Sequence, residues 1–111
     1  MVQPVAKRAR RQAPRGADGV IHGGIQAALL DEVMGVAAHA GAAEGEAEIQ
    51  IVTADFRLRY RRPAPGGVPL ILRARLLRRE QRDFVVEGEI VDAEGNSLTR
   101  AEARWRQIAP R

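Results

Sequence analysis

At 111 residues and a net charge of +4, the chain is near the commonest single-domain size and long enough to bury a core. It has no cysteine, which excludes disulfides, thiolate metal sites and a cysteine nucleophile. It also lacks both the long apolar run of a membrane-spanning helix and the apolar stretch of a secretory signal, so membrane is not an expected partner and a cytoplasmic location is the default.

Residues 1–18 read as a basic arm, poorly ordered or at best an irregular edge strand. Lys7, Arg8, Arg10, Arg11 and Arg15 are interleaved there with Pro4, Pro14 and Gly16. The arm has no aromatic residue on which a base could stack, which argues against nucleic acid as a partner. Residues 19–111 read as one domain.

The pattern predicts a helix from about Gly24 to Ala40, made almost wholly of Ala, Leu, Ile and Val. At 100° per residue, Ile25, Leu29, Val33, Val36 and Ala40 fall on one apolar stripe. Ala27, Ala28, Asp31, Gly35 and Ala38 form a second face of small side chains around a carboxylate. Two adjacent acids, Asp31 and Glu32, sit in the middle of a helix expected to be buried. An unpaired buried charge is costly, so these acids point to chemistry. Gly41 is a natural C-cap, and 41–45 reads as a loop.

The period then changes to two. In Val52–Tyr60 the even positions are apolar, while Thr53, Asp55, Arg57 and Arg59 are polar, a strand with one buried face. A second strand begins near Leu70, after a Pro- and Gly-rich turn. Arg82–Val91 sets Phe84, Val86 and Ile90 against Glu87 and Glu89. Asp92–Asn96 reads as a hairpin turn, with Gly95 free to take positive φ. The last strand, Ser97–Ile108, sets Thr99, Ala101, Ala103 and Trp105 against Arg100, Glu102, Arg104 and Arg106. Arginines 57, 59, 73, 75, 104 and 106 read as a solvated face with cross-strand glutamates. One helix followed by four antiparallel strands implies an α+β fold, a sheet curled around a helix, with dimerisation through an exposed edge strand.

Elimination narrows the chemistry. The single serine, Ser97, follows a hairpin turn and has no nucleophile elbow. His22 and His39 have no third ligand at useful spacing, so neither metal nor cofactor is expected. Carboxylate chemistry beside a helix N-terminus remains. The N–H of Gly23 or Gly24 can polarise a carbonyl, and a carboxylate further down the helix can act as base or nucleophile. That pairing suits hydrolysis of an activated acyl group.

The residues that carry a resemblance are Val20-Ile21-His22-Gly23-Gly24-Ile25, Leu29-Leu30-Asp31-Glu32, and Thr53 through Pro63. They resemble the hotdog-fold acyl-CoA thioesterases of the PaaI-like, 4-hydroxybenzoyl-CoA type, over about Gly19 to Trp105. The resemblance implies a hotdog fold, with Gly23 giving its N–H to the thioester carbonyl and Asp31 as general base or nucleophile. It implies that Thr53 positions water or substrate and that His22 shapes the oxyanion loop. Gly24, Glu32, Arg61 and Arg62 are the expected substrate-binding positions, the two arginines toward the nucleotide of acyl-CoA. It further implies a homodimer or homotetramer with the site between subunits, and no metal. The family's first strand has no clear counterpart in residues 1–18, and Gly16 stands where the family commonly has Asn. Two other readings compete: a non-catalytic acyl-CoA binding module on the same fold, and a nucleic-acid-interacting protein using the arm.

Overall fold

The computed structural model describes residues 5–9, as backbone, together with 19–41 and 50–108. In chain order these form β1 (Val5–Ala9), α1 (Gly23–Ala40), β2 (Gln50–Tyr60), β3 (Leu70–Glu80), β4 (Asp83–Val91) and β5 (Ser97–Ile108). The strands make one antiparallel sheet in the order β1-β3-β4-β5-β2, and α1 packs across one face of it. This is the α+β arrangement that the change of period predicts.

One strand comes from the basic arm. Val5–Ala9 pairs with β3 from Val5 opposite Ala74 to Ala9 opposite Leu70, so this part of the arm is an edge strand. Pro4, Arg10, Arg11, Pro14, Arg15 and Gly16 lie outside the described residues, as do 42–45 of the expected loop.

The helix buries a different face from the predicted stripe. Gln26, Leu29, Leu30, Val33, Met34, Ala37 and Ala38 are buried, whereas Ala40 is exposed and Val36 is 51% exposed. A helix apolar on nearly every side gives periodicity little to choose between, and contact with the sheet decides the face. Leu30, Val33 and Met34 join Leu72, Phe84, Val86, Ile90, Ala103 and Trp105 in one core. Helix and sheet approach closely at Gly35: a Cβ there would stand 2.8 Å from Trp105 Cη2. Of the small residues around Asp31, this one serves close packing.

The strands keep their predicted inner faces through β4 and β5. Phe84, Val86, Ile90, Thr99, Ala101, Ala103 and Trp105 are all buried. Gly95 takes φ +88° in the hairpin, as expected, and the Asp92 carboxylate accepts the Glu94 and Asn96 amides at 3.0 and 2.8 Å. The opposite face carries the cross-strand ion pairs Arg73–Glu89, Arg75–Glu87 and Arg104–Asp83.

Candidate active site

The helix begins at a turn whose backbone is held from three directions. The Ile25 and Gln26 amides both donate to His22 O at 3.1 Å, so that carbonyl points into the helix. A trans peptide carries its N–H opposite its C=O, which turns the Gly23 N–H away from the helix. Gly23 and Gly24 are the first-turn amides without an acceptor among the described residues. The helix dipole adds partial positive charge at that point. His22 occupies the N-cap position, exposed and without a side-chain cap.

The Tyr60 hydroxyl donates to Gly23 O at 2.8 Å. It also explains the glycine, since a Cβ on Gly23 would stand 2.9 Å from that hydroxyl. Inside the core, Gln26 Nε2 donates to Ile21 O at 3.0 Å, and the Thr99 hydroxyl donates to Gln26 Oε1. Arg61 and Arg62 are exposed, with their backbone amides bonded to Leu98 O at 2.8 and 3.0 Å. Together with Gly23, Gln26, Tyr60 and Pro63 they line an open cleft of about 360 Å³.

Two turns further along, the half-buried Asp31 accepts a hydrogen bond from Thr53 Oγ1 at 2.8 Å. Thr53 is exposed, as the alternation read for β2 implies, but this contact corrects its side: it reaches the helix instead of sharing the face of Asp55, Arg57 and Arg59. The pairing with β5 shifts between Thr53, opposite Trp105, and Asp55, opposite Arg104. Ala54 is the extra residue of a β-bulge, and a bulge changes which way the residues before it point. Ile51, on the same side of the strand as Thr53, is accordingly buried, while Val52 is 44% exposed. The phase break delivers Thr53 to the helix.

The structure therefore assembles the predicted residues into two centres. Asp31 meets Thr53, and Gly23 shares the cleft with Arg61 and Arg62, while Gly24 does not line it. These centres do not meet within one chain: Gly23 and Asp31 are eight residues apart on one helix, about 12 Å at 1.5 Å per residue. Glu32 is exposed, not turned toward the buried face. Sequence reasoning missed Gln26 and gave no role to Tyr60. A lone amide in an otherwise apolar helical stretch was the available signal for Gln26.

Residues 18–99 match the family model of the thioesterase superfamily. No curated protein matches the chain. Among solved structures, the chain is similar to a thioesterase superfamily protein, 32% identical with a TM-score of 0.78, over 92% of this chain and 50% of that one. It thus spans half the length of that protein. A phenylacetic acid degradation-related protein from Ralstonia eutropha is 27% identical with a TM-score of 0.78, over 95% and 76% of the two chains. A Bacillus halodurans protein solved with CoA is 24% identical with a TM-score of 0.81, over 96% and 68%.

Proposed function

The chain belongs to the thioesterase superfamily, and from that premise we propose that it hydrolyses the thioester of a small, aryl or medium-chain acyl-CoA. Its fold is the hotdog fold, with PaaI-like proteins among its structural neighbours. The observation that carries the reading is the Thr53–Asp31 hydrogen bond, made possible by the bulge at Ala54. The Bacillus halodurans relative was solved with CoA, which supports the same ligand here.

In this reading Asp31 is the general base. Thr53 donates to Oδ1, leaving Oδ2 to accept a proton from water, and the Thr53 oxygen can accept a second hydrogen bond from that water. The water oxygen attacks the thioester carbon, and the carbonyl oxygen becomes an oxyanion that accepts from the Gly23 N–H. The C–S bond then breaks, and the CoA thiolate takes the proton held by Asp31. Gly24 belongs to the same open turn, with His22 shaping it. Arg61 and Arg62, at the rim of the cleft, face the phosphates of CoA, for which guanidinium groups are well suited.

A carbonyl cannot touch Gly23 and Asp31 of one helix about 12 Å apart. Two copies with antiparallel helices bring the glycine turn of one to Asp31 of the other, which makes the enzyme a homo-oligomer with two composite sites. The free edge of β2 and the exposed Val36 and Ala28 on the outer side of α1 suit such a contact. Thiol release from a panel of acyl-CoA substrates, with wild type and Asp31→Asn, tests the proposal. CoA binding without hydrolysis across the panel would instead support the non-catalytic module.

A further inference from the structure

Tyr60 and Thr99 stand directly opposite each other on β2 and β5. Both reach the start of the helix. Tyr60 holds Gly23 O, on one side of the His22–Gly23 peptide. Thr99 acts from the other side through Gln26, which holds Ile21 O. One cross-strand pair therefore grips the glycine turn before and after the peptide that carries the Gly23 N–H.

The inner arm of this grip is buried, with Thr99 fully covered and Gln26 5% exposed. A buried amide and hydroxyl are costly unless each finds a partner, and these two find each other and a backbone carbonyl. The donors and acceptors also fix the orientation of the amide. Thr99 donates to Oε1, which leaves the NH₂ group facing Ile21 O; the flipped amide would set oxygen against oxygen. Thr99 thus supplies the partner for the amide oxygen left on the far side from Ile21 O, and anchors Gln26 to β5.

We propose that Gln26 and Thr99 are positioning residues for the Gly23 N–H, acting together with Tyr60 to set the tilt of the His22–Gly23 peptide over the sheet. The inference rests on the acyl-CoA thioesterase reading of the same turn. An oxyanion donor is effective only within a narrow range of distance from the developing charge, so a tilted peptide loses turnover while substrate binding survives. Neither side chain touches the thioester; both act through backbone.

Thr99→Val keeps the shape and removes the hydroxyl, and Tyr60→Phe does the same on the outer side. With benzoyl-CoA and hexanoyl-CoA as substrates, each should lower kcat about tenfold with KM within about twofold. Thr99→Ser should restore most of the loss. Val86→Ala, buried and paired with Leu76 and Ala103 rather than with Thr99, should lower the melting temperature and leave kcat unchanged. A folded Thr99→Val with wild-type kcat, or a Thr99→Ser as impaired as Thr99→Val, overturns the proposal. If the wild type hydrolyses no thioester, the acyl-CoA reading has failed, and the ¹⁵N-edited amide resonances of Gly23 and Gly24 decide the positioning role. They should move in Thr99→Val and stay in place in Val86→Ala; unmoved resonances in Thr99→Val overturn it.

Discussion

Strands β2 and β4 have opposite duties in the same sheet. β4 lies at the centre, sets Phe84, Val86 and Ile90 into the core, and packs against the middle of the helix. β2 lies at the edge, breaks its alternation at Ala54, and sends Thr53 to Asp31 and Tyr60 to Gly23. An edge strand has one neighbour, so a bulge there redirects a side chain at small cost. The fold holds together at its centre and carries its polar reach at its edge.

That division gives the ways to break it. Asp31→Asn, which removes the base served by β2, should lower kcat by about a thousandfold while the melting temperature barely changes; thiol release and calorimetry on one preparation check both. Phe84→Ala, on β4, should behave in the opposite sense. It empties a fully buried site and should cost about 3–5 kcal/mol in denaturant unfolding, while the fraction that remains folded keeps its turnover. Thr53→Val should lower kcat about tenfold at unchanged stability, with Thr53→Ser close to wild type. A large stability loss in Thr53→Val would erase the contrast between the two strands.

The smallest effect concerns β4's outward face. Burial alone would raise the pKa of Glu89, but the nearby Ser97 hydroxyl, the hydrogen bond from Arg73 and the charges of Arg73 and Arg100 outweigh it, holding the carboxyl below its ordinary 4.5. A depressed folded-state pKa contributes stability that is present above the unfolded value and is lost as pH falls through the folded one. Urea midpoints measured downward from pH 6 should therefore fall in the acid range, and Glu89→Gln should flatten part of that decline.

The contrast also explains what could be read from residue order. β4 and β5 pair without a shift from Asp83 to Ile90, so period-two alternation places Phe84, Val86, Ile90, Thr99, Ala101, Ala103 and Trp105 on the inner face. The polar–apolar order of β2 is equally regular on paper, yet the bulge makes Thr53 and Phe56 share a side. A bulge arises from pairing with β5, which local pattern does not contain. The helix face was illegible for a different reason: Val36 and Met34 are equally apolar, and only the shape of the sheet leaves one at 51% exposure and the other at 0%. Asp31 and the glycine pair were legible because a carboxylate and bare amides are conspicuous in an apolar stretch. Their separation into two centres follows from helix rise alone. Gln26 was overlooked because its partners, Thr99 and the Ile21 carbonyl, converge only when the sheet is formed.

The chain contains a single tryptophan, and Gly35 is the surface against which its ring rests. Gly35 lies one helical turn beyond Asp31, and Trp105 is directly opposite Thr53 in the register of β2 and β5. The molecule therefore carries one intrinsic fluorophore at the seam between helix and sheet, free of spectral overlap from any other indole. Its emission will be blue-shifted while the seam is closed and will move to the red when the helix lifts. A stopped-flow trace at that wavelength follows the undocking of the acid-bearing segment itself, with no label added.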